Sequence, residues 1–219
     1  MSAESLVGKW KEPFGAEQIA RLERLSNAVG VSGNEQEVRA IVLETVRPLV
    51  DSVDVDALGN VLAIRHAARA GAPRVMLAAH MDEVGMMLVS ADEGSAGLFS
   101  FQTVGGIDVR QLPGKAVWAG KEHTPGVIGA KPIHLTERDE LGRSIPLESL
   151  RVDVGPAPKD AVKVGDWATF ATNFQVLDES FCGKALDDRL GVSVLLELLA
   201  SAPRNVELLA AFTVQEEIG

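Results

Sequence analysis

Residues able to hold a metal ion stand where two apolar runs stop. The first run reads Arg74-Val-Met-Leu-Ala-Ala-His80-Met-Asp82-Glu-Val-Gly85, and the second ends Phe212-Thr-Val-Gln-Glu216-Glu217-Ile-Gly219. Between them lies Ala185-Leu-Asp187-Asp188-Arg189-Leu-Gly191. Histidine, aspartate and glutamate are the ligand types of a hydrolytic zinc or cobalt centre. Alternate residues of a strand share a face, so His80 and Asp82 are expected to point one way and Met81 the other. A lone histidine is more often a satisfied, partly buried side chain. The place of His80 directly after an apolar run, beside Asp82 and Glu83, favours a site instead. Glu216 and Glu217 would face opposite ways on an extended chain, one to bind a metal and one to hold a water; the plainer reading is a strand ending in solvent. One of Asp187 and Asp188 is expected to cap the helix after them, leaving the other free to bridge metals. Gly183-Lys184 ahead of them is read as a flexible approach.

The surrounding pattern supplies elements that would position these residues. Ile19, Leu22, Leu25 and Val29 have helical spacing over residues 16–29. Val31-Ser-Gly-Asn34 breaks that helix, and Asn34 with Glu37 has the form of a capping box for a second, which buries Val38, Ile41, Val42, Thr45, Val46 and Leu49 and has Pro48 near its end. Val53–Ala57 and Asn60–Arg65 read as two arms of a hairpin turning at Leu58-Gly59. Val75–Ala79 is a continuous apolar run, as expected of a strand buried on both faces. From about residue 89 glycine and proline become frequent, and short strand-like segments recur near residues 98–104, 115–119, 126–130, 151–154 and 167–171. That is the pattern of a small barrel or sandwich. Val192, Leu195, Leu196 and Leu199 restore helical spacing until Pro203 and Asn205, and residues 206–214 form a last strand. The layout is α/β with an all-β, barrel-like insertion over residues 89–175, leaving 1–88 and 176–219 as one discontinuous domain. Sites in open α/β sheets gather beyond the carboxyl ends of strands, where His80 and Glu216-Glu217 fall.

Composition narrows the classes. The 219 residues are 46% hydrophobic and 24% charged, with a formal net charge of −10. Phosphate binding needs clustered lysine and arginine, so nucleic-acid and anionic-membrane partners are not expected. Met1–Trp10 lacks the apolar core of a signal peptide, and no run approaches the roughly 20 apolar residues of a membrane-spanning helix. A cytoplasmic location is expected. Cys182, the only cysteine, excludes an internal disulfide and is read as a small buried hydrophobe rather than a nucleophile. His123 and His134 fall in the β insertion without an acid at ligand spacing and are read as surface or loop residues.

Taken together, His80-Met-Asp82-Glu-Val-Gly85, Gly183-Lys-Ala-Leu-Asp187-Asp-Arg-Leu-Gly191 and Gln215-Glu216-Glu217-Ile-Gly219 resemble the M42 family of metallo-aminopeptidases, the tetrahedral and glutamyl aminopeptidase group. Leu58-Gly-Asn60, Pro125-Gly-Val-Ile-Gly129 and Val164-Gly-Asp166 match it as well. The resemblance implies a catalytic α/β domain interrupted by a β-rich dimerisation domain, two divalent ions, zinc or cobalt, and removal of amino-terminal residues from short peptides. It implies that His80 binds one ion, Asp187 bridges both and Glu217 binds the second. Glu216 would be the general base and Asp82 the carboxylate orienting His80. It implies homo-oligomers built through the β insertion.

The family also has an aspartate and a histidine ligand downstream of its Glu-Glu motif, and neither precedes Gly219. The chain is therefore expected to be a truncated frame, a fragment or half of a split protein, with its catalytic domain incomplete. Rival readings are a catalytically dead assembly or regulatory subunit of the same fold, and a metal-dependent deacylase. Relatives labelled endoglucanases exist, but a sugar hydrolase usually works with a carboxylate pair and no metal, and the histidine and third acid here are better explained by metal.

Overall fold

Two hydrophobic cores organise the protein, one under an open sheet and one inside a closed barrel. The structure is a computed structural model and describes residues 15–95, 97–136, 144–156, 161–201 and 204–219. Met1–Trp10 and Pro203 therefore lie outside the described residues.

The open sheet has the order β1-β2-β12-β3, with β1 Ser52–Val55, β2 Val61–Arg65, β3 Arg74–His80 and β12 Glu207–Thr213. β12 runs antiparallel to β2 and parallel to β3. Among the described residues three α-helices accompany it: α1 Ala16–Asn27, α2 Gln36–Val46 and α3 Leu186–Ser201. Their apolar stripes follow the helical period, so Leu25, Val38, Val42, Leu196 and Leu199 meet Phe212 in one buried cluster. The helical and hairpin expectations hold, with ends shifted by a residue or two.

Two local expectations fail. Asn34 and Glu37 make no capping box: the residue before α2 is Glu35, without a side-chain cap. Glu37 instead accepts the Val29 N–H at 3.0 Å, and its other oxygen meets His123 Nε2 at 2.6 Å. The loop into α2 turns back on itself, so the glutamate reaches the end of α1 rather than its own helix start. Nor is β3 buried on both faces. It is an edge strand, paired with β12 alone among the described residues, and Met76 is 64% exposed. An apolar run records a preference for burial but carries no information on strand order.

The barrel closes in the order β4-β5-β8-β7-β6-β9. Its strands are β4 Gly85–Ala91, β5 Leu98–Val104, β6 Ala116–Ala119, β7 Thr124–Gly129, β8 Arg151–Asp153 and β9 Trp167–Phe170. Alternating residues point inward, and Met86, Leu88, Phe101, Val117, Ile128 and Val152 fill the interior. Gly97 has φ +84°, and a Cβ there would overlap the Gly155 carbonyl oxygen, so the chain crosses at a point open only to glycine. The first barrel strand begins within three residues of Asp82, so the site and the barrel share a junction.

Beyond β9 an exposed hairpin joins β10 Gln175–Leu177 to β11 Ser180–Cys182. Cys182 is exposed rather than buried, because both strands of this hairpin face solvent. His134 is exposed, as expected. No described helix is long and apolar enough to cross a membrane.

Candidate active site

Parallel pairing of β3 with β12 puts His80 beside Thr213. The Met81 N–H extends that pairing to the Thr213 carbonyl at 2.7 Å. Thr213 then leads within four residues to Glu216 and Glu217, so the carboxyl ends of two neighbouring strands deliver the site.

Asp82 anchors the turn that carries both glutamates. Its carboxylate is fully buried and accepts the Ser32 hydroxyl at 2.6 Å, the Glu216 N–H at 3.1 Å and the Glu217 N–H at 3.0 Å. A buried carboxylate needs such donors. Glu216–Ile218 is a 3₁₀ turn entered through Gln215 at φ 59°. The two glutamates are thus not on an extended chain with opposite faces, since the amide bonds to Asp82 wind them into a turn.

His80 is only 11% exposed at its side chain. Its Nε2 lies 3.3 Å from Asp187 Oδ1 and 3.9 Å from Glu216 Oε2. On the other edge of the ring, Nδ1 lies 3.4 Å from Asp82 Oδ1 but is not aligned for a hydrogen bond. His80 and Asp82 do share a side, as their spacing predicts.

Asp187 and Asp188 divide as expected. Asp188 Oδ1 accepts the Gly191 N–H at 2.9 Å inside the first turn of α3. The Asp187 side chain is 90% exposed and reaches toward His80. Neither aspartate has helical backbone angles. The expected flexible approach is absent: Lys184 is buried and donates to Glu83 Oε1 at 2.7 Å and the Ala28 carbonyl at 2.6 Å. The Ser26 hydroxyl also binds the Lys184 carbonyl at 2.6 Å. Burial pulls the Lys184 ammonium below its ordinary pKa against the pull of Glu83.

Glu217 completes the group. Burial raises its carboxyl pKa; His80 opposes this, and Asp82, Asp187 and Glu216 add to it. Glu217, Asp187 and Lys184 line a cleft of about 520 Å³ together with Ile107, Asp108 and Lys115 of the barrel region. The structure therefore brings together His80, Asp82, Asp187, Glu216 and Glu217. It leaves Cys182 and His134 elsewhere, and His123 is paired with Glu37 instead.

Among the described residues no three histidine, cysteine, aspartate or glutamate side chains form a ready cluster for a metal ion. His80 and Asp187 instead contact each other directly. The donor set still suits a divalent ion: one imidazole edge facing two carboxylates, with Glu217 alongside, concentrates negative charge that a cation would offset.

The sequence model of the M42 glutamyl aminopeptidases matches residues 59–219. The chain belongs to the M42 peptidase family. A lysyl aminopeptidase of Pyrococcus furiosus is 31% identical over 209 residues, which is 90% of this chain and 59% of that protein. A TET aminopeptidase from the archaeon Thaumarchaeota archaeon SCGC AB-539-E09 superposes with a TM-score of 0.83 at 33% identity, over 93% of this chain and 60% of that one. The TET1 peptidase of Pyrococcus horikoshii, described as assembling into a tetrahedron or a large octahedral shell, gives a TM-score of 0.78 at 34% identity, over 92% and 62%. The chain thus spans about 58% of the length of the first curated relatives it matches. The α/β architecture with an inserted barrel is that of M42 peptidases.

Glu83 is the residue whose part the sequence does not disclose. It is 3% exposed and accepts from Lys184, the Gly30 N–H and the Thr169 hydroxyl. Its only signal in the sequence is a charge set between Met81 and the apolar start of β4.

Proposed function

We propose that this M42 protein is a metal-dependent aminopeptidase that removes residues from the amino ends of short peptides. The observation that carries the reading is the approach of His80 Nε2 to Asp187 and Glu216, at 3.3 and 3.9 Å, on a turn fastened by Asp82. His80 and Glu217 would each hold one of two divalent ions, zinc or cobalt, with Asp187 shared between them. Such ions lower the pKa of a bound water and polarise a carbonyl.

The chain's own residues do the rest. Glu216, exposed on its turn, takes the proton of the attacking water and returns it to the leaving amine. Asp82 stands behind His80, its Oδ1 3.4 Å from Nδ1, in the place of the carboxylate behind a ligand histidine. The same carboxylate holds the Glu216 and Glu217 amides, so one buried group aligns the base with the imidazole. The cleft beside Asp187 and Glu217 gives the peptide a place to lie. The barrel segment, residues 89–175, is proposed as the surface for self-association, in keeping with the shells described for the TET1 peptidase.

The test is hydrolysis of amino-acid anilides that carry a free α-amino group, in the presence of zinc or cobalt. Release that is lost with a chelator and falls about 10²–10⁴-fold in Glu216→Gln supports the reading. Release that survives both treatments overturns it, and preference for N-acetylated amino acids assigns a deacylase instead.

A further inference from the structure

We infer that Glu83 is a positioning residue that sets where Asp187 stands relative to His80. The inference rests on the peptidase reading only for what Asp187 does. Glu83 follows Asp82 in sequence, yet the two carboxylates hold different parts of the molecule. Asp82 accepts from Ser32 and from the Glu216–Glu217 turn. Glu83 Oε1 accepts the Gly30 N–H at 2.9 Å and Lys184 Nζ at 2.7 Å, with Arg189 Nη2 at 3.5 Å. Its Oε2 accepts the Thr169 hydroxyl of β9 at 2.9 Å.

Lys184 and Arg189 flank Asp187 in sequence, and both are buried, Arg189 completely. Lys184 also binds the Ala28 carbonyl, and Arg189 binds the Leu25 and Ala28 carbonyls. The segment carrying Asp187 is therefore pinned at both ends inside the protein, and the Asp187 side chain projects from between the pins. The fit is close: a Cβ on Gly30 would lie 2.5 Å from Arg189 Nη2. Both pins are cations that share one carboxylate oxygen. Without the Glu83 charge they would stand together in a buried space, where like charges repel and neither reaches water. The segment must then open, and Asp187 leaves its place opposite His80. The consecutive carboxylates thus divide the work, Asp82 holding the base turn and Glu83 the Asp187 turn.

Amide hydrogen exchange by NMR on the full chain separates this division from a general role in folding. Two amides report the Asp187 turn: Arg189 N–H, bound to the Ala185 carbonyl, and Gly191 N–H, bound to Asp188. The Glu216 and Glu217 amides report the other turn. Glu83→Gln is expected to speed exchange at Arg189 and Gly191 by about tenfold while leaving Glu216 and Glu217 near their original rates. Asp82→Asn is expected to give the reverse pattern. Zinc affinity, read by titration, is expected to fall about 10–100-fold in Glu83→Gln. Should Glu83→Gln not fold, Lys184→Met removes one pin and is expected to loosen the same two amides. Thr169→Val, which frees only the barrel side, is expected to leave them unchanged. A rise spread evenly over the core, or no rise at Arg189 and Gly191, overturns the inference. Failure of every form, wild type included, to hold zinc overturns the peptidase reading alone, since the exchange pattern still decides the role of Glu83.

Discussion

The barrel and the open sheet solve the same problem differently. The barrel pairs each of its strands on both sides and buries a core within a single curved layer. The sheet relies on three helices for its core and leaves two edges, β1 and β3, each paired on one side only among the described residues. Closure removes edges, whereas an open sheet must manage them. The chemistry gathers in the less complete region. His80 ends edge strand β3, Glu216 and Glu217 come after its neighbour, and Asp187 opens the helix packed against it. The barrel contributes the Thr169 hydroxyl and cleft-lining residues such as Phe170. Strand ends can aim side chains at a common point, while the closed barrel spends its inward positions on packing.

If the regions are built as described, core truncations in each should be felt separately. Phe212→Ala in the sheet core is expected to cost about 3–5 kcal/mol, and Leu88→Ala in the barrel about 2–5 kcal/mol. Trp118 and Trp167 both stand in barrel strands. Urea unfolding followed by tryptophan fluorescence and, in parallel, by helical circular dichroism checks the comparison. Leu88→Ala should move the fluorescence midpoint first, and Phe212→Ala the circular dichroism midpoint first. Coincident shifts in both variants would mean that the two cores unfold as one.

A smaller effect is expected where α1 meets α3. Arg21 Nη2 lies 2.9 Å from Glu197 Oε2, and this hydrogen bond holds the Glu197 carboxyl below its ordinary pKa. A depressed folded pKa contributes stability above the unfolded value that is lost as pH falls through the folded one. Glu197→Gln should therefore cost under about 1 kcal/mol at neutral pH and nothing at a pH below both values, measured by thermal unfolding across that range. The smallest effect is expected at the edge. Met76→Lys should change stability by no more than about 0.5 kcal/mol, because that side chain is already largely in solvent. The same urea curves check it, and a loss as large as that of Phe212→Ala would show that the edge is covered in solution.

Much of this molecule is legible in local pattern. The helical stripes of α1, α2 and α3, the β1-β2 hairpin and the barrel strands after β4 each follow from spacing alone. So do the sharing of one side by His80 and Asp82 and the split of Asp187 from Asp188, because both depend on near neighbours. The features that escape depend on partners distant in sequence. The exposure of β3 is a matter of sheet order. Glu37 reaches α1 rather than capping α2 because of a loop path. Lys184 reads as part of a supple approach, since nothing near it in sequence reveals Glu83 as its buried partner, 101 positions away. The turn at Glu216–Ile218 likewise depends on amide bonds to Asp82, 134 and 135 positions away.

The claim on which the functional account stands is that His80, Asp187 and Glu217 hold a pair of divalent ions with Asp187 between them. Counting zinc bound per chain after desalting, for the wild type and for single variants, tests it directly. The account predicts that zinc content falls in Glu217→Gln and falls furthest in Asp187→Ala, because the shared ligand serves both. An Asp187→Ala protein that keeps the zinc content of the wild type would contradict it.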